Sequence, residues 1–156
     1  MKFAQFVLLL FIFICSCNQQ QMSKQTTVHA IRLKPGEDLK AGIEKLVKEK
    51  NIEAGWISTC VGSITKYNLR FANQPEGSSR EGHFEIVSLT GTVSINGSHL
   101  HLAVSDSTGA TIGGHLLDGN IIYTTAELVI SSTEKYQFTR EKDGTTPWQE
   151  LNIKEK

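Results

Sequence analysis

His83–Ile130 reads HFEIVSLTGTVSINGSHLHLAVSDSTGATIGGHLLDGNIIYTTAELVI, a succession of strand-type segments interrupted only at Gly, Asn, Asp and Ser. It carries four of the chain's five histidines. In Leu100–Val104 the apolar residues Leu100, Leu102 and Val104 share one parity, while His99, His101 and Ala103 share the other. Successive side chains of a strand point to opposite faces, so His99 and His101 fall on one face. The segment Asp106-Ser107-Thr108-Gly109 suits a three-residue hairpin loop, with Gly in the left-handed conformation forming a bulge. Pairing Asp106 with Ala110 sets the register and puts His101 opposite His115. A slip of one residue would throw His115 onto the other face, so the inference stands or falls with the turn. Gly113-Gly114 removes side chains just before His115, where the strand kinks or another backbone approaches closely.

Three imidazoles on one face suit a Zn²⁺-type ion, since catalytic zinc is typically held by three protein ligands with a fourth position open. The competing reading is plainer: alternating histidines line a polar sheet face and bind nothing. The register and the Gly-Gly-His favour the metal.

The segments GHFEIVSLTGTV (82–93), HLHLAVSD (99–106), GGHLLDGNIIYTTAELVI (113–130) and REKD (140–143) resemble the PPC domain (plants and prokaryotes conserved). The resemblance runs from Val28 to Ile153. It implies an α+β domain with a mostly antiparallel, barrel-like sheet, one main helix packed on it, and assembly as a homotrimer. It also implies a divalent-metal site built on His-x-His and Gly-Gly-His, matching His99, His101 and His115. Plant members associate with DNA through a separate basic AT-hook segment, and this sequence shows no such segment.

Lys+Arg and Asp+Glu each number 16 in 156 residues, so the formal charge is zero. Nucleic-acid binders draw their affinity from phosphate neutralisation and usually show a basic excess. The densest basic cluster, Lys45-Leu46-Val47-Lys48-Glu49-Lys50, is interleaved with acid and reads as a solvated helix face. Residues 1–17 (MKFAQFVLLLFIFICSC) have a basic start and a short apolar run. That run is shorter than the about 17–25 residues of a spanning helix and fits a secretory signal. Ile14-Cys15-Ser16-Cys17 resembles a bacterial lipobox, with cleavage before Cys17 and lipidation of its thiol; ordinary signal cleavage nearby is the alternative. Residues 18–25 read as a polar tether and 26–156 as the domain. The expected location is the bacterial cell envelope, with the membrane held through the lipid on Cys17. Cys60 then remains without a cysteine partner and reads as a buried structural thiol.

Thr26–Lys34 reads as the first strand. Pro35-Gly36-Glu37-Asp38 opens a helix over about 38–50, with Leu39, Ile43, Leu46 and Val47 as its apolar stripe. Ala54–Phe71 reads as one or two strands with a possible break at Gly62-Ser63, and 72–80 as a loop. In Phe84–Ile95, Glu85 shares parity with Val87 and Leu89. Either Glu85 faces a partner or pocket, or the strand is bulged. In Ile121–Ile130 the residues Tyr123, Thr125 and Glu127 share the wetter face. Glu127 is the preferred general-base or metal-tuning candidate, an exposed strand carboxylate being the alternative. Tyr136, Phe138 and Arg140 suggest a last strand, after which 143–156 trails off, with Pro147-Trp148 packing across the domain.

Three functions are compatible with this reading. The first is a metal-centred protein that binds or transforms a small molecule. The second is a DNA-binding protein, and the third a trimeric envelope module that presents a surface to other proteins. The histidine set discriminates the first, a basic face the second, and an exposed apolar patch the third.

Overall fold

The computed structural model describes residues 26–156; the segment read as a signal (1–17), Cys17 and the whole of the segment read as a tether (18–25) lie outside them. The elements run in the order β1 (Thr26–Leu33), α1 (Leu39–Glu49), β2 (Gly55–Arg70), β3 (Ser78–Val93), β4 (His99–Ser105), β5 (Thr111–Leu116), β6 (Ile121–Thr133), β7 (Tyr136–Glu141) and β8 (Glu150–Glu155). β1 to β6 form one antiparallel sheet in the order β1-β6-β2-β3-β4-β5. A short additional pairing of β2 with β5, Leu69 to Leu116 and Arg70 to His115, curls β2–β5 into a partial barrel. β7 and β8 form a separate two-stranded sheet.

The helix begins where its chemistry requires. Asp38 is the N-cap and accepts a hydrogen bond from the Ala41 amide at 2.8 Å. Its other carboxylate oxygen accepts from the Gly119 and Asn120 amides, tying the helix start to the loop before β6. Such a cap satisfies amides that the first turn leaves without partners. Leu39, Ile43, Leu46 and Val47 are all buried, so the apolar stripe lies against the sheet as the periodicity requires. Helix and strand touch closely at Gly42, where a Cβ would stand 2.6 Å from the Leu33 side chain.

β2 runs unbroken through Gly62-Ser63, with register shifts instead of a break. β3 starts at Ser78, inside the segment read as loop. Its parity problem resolves as a bulge: Ile86 pairs with Val104 and Ser88 with Ala103, leaving Val87 as the extra residue. A bulge flips the facing of the residues beyond it. Hence Phe84 and Ile86 point inward on one side of it and Leu89 on the other, while Glu85 and Val87 are exposed.

Residues 150–155 are β8, where the sequence reading has an unstructured tail. Neither face of β7 or β8 is fully buried, so the apolar alternation that marks a strand is absent. Cross-strand pairing and main-chain anchors hold the hairpin instead. The Phe138 amide donates to Glu53 O at 2.9 Å. The Ser94 hydroxyl and the Asn96 side-chain amide donate to Phe138 O at 2.9 and 3.0 Å.

Candidate metal centre

The β4–β5 hairpin has the register the turn implies. His101 pairs with His115, the Asp106 amide donates to Ala110 O at 3.0 Å, and Gly109 takes the left-handed conformation at φ +84°. The Asp106 side chain closes the loop by accepting from the Thr108 and Ala110 amides. Leu100, Leu102 and Val104 sit in the core at 2% exposure or less, which forces His99 and His101 to the other face. Two glycines then bring the neighbouring strands close. A Cβ at Gly91 would meet His99 O at 1.9 Å, and one at Gly114 would meet Arg70 O at 2.7 Å. The second contact lets β2 run beside β5 and seats Arg70 next to His115.

The three imidazoles converge. Ligand nitrogens of His99, His101 and His115 all lie within 4.8 Å of one another, and Nε2 of His99 is 3.2 Å from Nε2 of His101. Two nitrogens bound tetrahedrally to zinc at roughly 2.0–2.1 Å stand about 3.3 Å apart, so the pair has the spacing of one edge of a zinc tetrahedron. His115 Nδ1 is buried without a hydrogen-bond partner. Burial, and then the neighbouring His99, hold the His115 pKa down to about 4. Burial and then His101 lower that of His99. Neutral imidazoles keep the lone pair a metal needs, so the donor set fits a borderline transition ion such as Zn²⁺.

The C-terminal hairpin faces this cluster. One hollow of about 300 Å³ is lined by Thr92, His99, His101, Arg140, Glu150 and Leu151 among others. An adjoining one of about 370 Å³ includes Arg70, His99, His115, Arg140, Trp148 and Glu150. Arg140 donates from Nη2 to Thr92 Oγ1 at 2.6 Å, and its Nε is buried without a partner. The Arg70 guanidinium lies over the Trp148 ring, 4.8 Å from its centroid.

Glu127 lies elsewhere. It pairs across β6 with Arg32 and Val61 and lines an outer hollow with Ala30, Thr59 and Val129. The carboxylate that borders both hollows beside the histidines is Glu150. Arg70, Arg140, Trp148 and Glu150 are among the bordering residues that the sequence alone does not assign to the site. The signal available for them in the sequence is Trp148, a large aromatic in a tail whose other residues are mostly polar.

A partly closed antiparallel sheet with one helix and three histidines on its open face defines an α+β domain with a candidate metal centre. The chain belongs to the Plants and Prokaryotes Conserved (PCC) domain family, abbreviated PPC above, whose family-wide pattern matches residues 20–134. A protein of Salmonella enterica described only as hypothetical is 37% identical. It superposes with a TM-score of 0.83 over 86% of this chain and 97% of its own. A metal-containing protein of Archaeoglobus fulgidus, 25% identical, superposes with a TM-score of 0.69 over 81% of this chain and 93% of its own. A protein of Bacteroides thetaiotaomicron described as putative DNA-binding is 24% identical, with a TM-score of 0.70 over 80% and 91%, and shows the shared fold alone. Among curated relatives, the bifunctional protein GlmU of Synechococcus sp. (strain JA-3-3Ab) is 42% identical over 126 residues, 81% of this chain. The chain spans about a fifth of the length of that relative (20%).

Proposed function

We propose that this protein holds one divalent transition metal per chain, Zn²⁺ by ligand type, on His99, His101 and His115, and uses its open position to bind or transform a small molecule. The observation that carries the reading is the convergence of three imidazoles, two of them 3.2 Å apart, on the exposed face of one hairpin. The metal in the Archaeoglobus relative supports it. An ion there supplies Lewis acidity toward an oxygen donor in the fourth position. The chain's own part is to hold the three nitrogens rigidly against a packed core and to border the opening with Arg70, Arg140 and Glu150.

The test is elemental analysis of protein purified without a histidine tag or chelator. About one metal per chain is expected, and the His101→Ala variant should lose it, because His101 neighbours both other ligands. Metal far below stoichiometric, with no uptake on zinc titration, would overturn the reading.

The proposal includes assembly as a homotrimer at the cell envelope, with lipid on Cys17. Support for association is the outer face of β1, β6 and β2, where Val28 on β1 is 64% exposed and Val61, 56% exposed, lines the hollow that Glu127 borders; exposed apolar patches commonly mark interfaces. A mass of three chains by light scattering is expected, and Cys17→Ser should release the protein from the membrane fraction. A monomer, or a wild type found soluble in the cytoplasm, overturns these two parts. DNA binding finds no support in the charge, since 16 basic side chains are balanced by 16 acidic ones.

A further inference from the structure

We infer that the histidine centre is one half of a site for a small carboxylic acid bearing a hydroxyl or oxo group next to its carboxylate, and that Arg140 and Arg70 receive the carboxylate. The inference rests on the metal reading for the place of the second oxygen, but not for the arginine pair.

Two guanidinium groups border the same hollow as His99 and His115. Among the described residues neither has an acidic side chain within ion-pair distance; the ion pairs of the chain involve Lys40, Lys45, Lys135 and Lys156 instead. Arg140 is held in place by one bond, Nη2 to Thr92 Oγ1, while its Nε is buried with nothing to bond. A buried donor without a partner is costly and therefore asks for an acceptor. Glu150, the nearby acid, accepts from the Thr146 hydroxyl in its own hairpin and bonds neither arginine. The Arg70 guanidinium lies over Trp148, 4.8 Å from the ring centroid, a contact that orients its planar fork. A guanidinium fork matches a carboxylate or a phosphate through paired N–H donors. The choice between these falls to the rest of the wall: Trp148 and Leu151 give the hollows an apolar side that suits a carbon-bearing acid. With the carboxylate on the arginines, the adjacent oxygen of such an acid faces the histidines, where the metal's open position would take it. Size agrees, because hollows of about 300 and 370 Å³ admit a short-chain acid.

The experiment is isothermal titration of the full chain, zinc-loaded and metal-free, with glycolate, ethylene glycol and inorganic phosphate as probes. Zinc-loaded protein should bind glycolate saturably and ethylene glycol not at all. Arg140→Gln should weaken glycolate by about tenfold or more with zinc content unchanged. Arg70→Gln should do the same, and serves alone if Arg140→Gln lowers the melting temperature markedly. Equal glycolate affinity in wild type and in the folded variants overturns the proposal. So does phosphate binding tighter than glycolate, which would assign the pair to a different anion. If the chain takes up no zinc yet binds glycolate in an arginine-dependent way, the metal reading fails and the carboxylate subsite stands. Zinc uptake with glycolate affinity indifferent to both arginines is the reverse result: the metal reading stands and the subsite falls.

Discussion

Two hairpins meet at the candidate site, and they are built on opposite principles. β4–β5 belongs to the main sheet: one of its faces is core, with Leu100, Leu102, Val104 and Leu116 at 2% exposure or less, and the other carries the histidines. β7–β8 forms its own two-stranded sheet, has no fully buried residue, and is pinned by hydrogen bonds with Glu53, Ser94, Asn96 and Thr92. Three nitrogens must keep their spacing to tenths of an ångström to hold an ion, and a close-packed core supplies that rigidity. A wall that only borders a ligand has no such demand, and an isolated two-stranded ribbon is marginal on its own. The first hairpin holds and the second encloses.

That division is most easily broken by comparing core with surface. Leu102→Ala should cost about 2–5 kcal/mol, as large-to-small changes at fully buried leucines do. Ile153→Ala, at 55% exposure on β8, should stay within about 0.5 kcal/mol. Urea unfolding of both variants measures this. Similar losses would mean that the second hairpin is as deeply integrated as the first.

A smaller effect is expected at the seam between β5 and β2. A Cβ at Gly114 would press on the Arg70 carbonyl at 2.7 Å, and backbone cannot swing aside. Gly114→Ala should therefore cost about 1–3 kcal/mol, like other overpacking changes. It should also weaken zinc by displacing His115, read by competition with a chromogenic chelator. Gly144→Ala is the matching change in the loop between β7 and β8, where nothing lies within 4 Å. Its left-handed backbone (φ +84°) makes it cost stability too, but zinc affinity should not move.

The thiol of Cys60 reports on the main sheet independently. Burial pushes its pKa up to about 12, whereas a free thiol titrates near about 8.5. Native protein at pH 8 should resist alkylation, while unfolded chain reacts. Above the unfolded pKa the open chain releases a proton that the folded one keeps, so rising pH favours unfolding until the folded value is passed. Leu102→Ala should speed labelling at pH 8 and Ile153→Ala should not. Equal acceleration would show that the two hairpins open together.

The contrast between hairpins is also a contrast in what can be read from residues. His101 opposite His115 was legible because strand alternation and the Asp106–Gly109 turn are local rules, each satisfied within a few positions. The helix was legible for the same reason, from Asp38 and the spacing of Leu39, Ile43, Leu46 and Val47. Glu127 shows the limit. Its parity on β6 is legible, facing away from the buried Ala126 and Leu128, but β6 lies between β1 and β2. Strand order is a long-range property that no local pattern encodes. β8 is not legible in the residues because ELNIKE packs neither face into the core. Arg140 and Glu150 reach the histidines only through that pairing, so their part in the site was hidden with it.

The finest test is Thr92→Val. Thr92 stands on β3 directly across from His99, and its hydroxyl accepts the hydrogen bond that the Arg140 guanidinium donates from Nη2. Valine keeps the shape and removes the acceptor, so the change should cost about 0.5–1.5 kcal/mol, less to the extent that water reaches the guanidinium. If β4 and β5 alone hold the ion, zinc affinity stays at the wild-type value even though Arg140 is loosened a single residue pair away. A tenfold fall in zinc affinity would place the second hairpin in the holding structure as well. The arginine would then be setting the position of His99, and the separation between a rigid metal face and an adjustable wall would have to be given up.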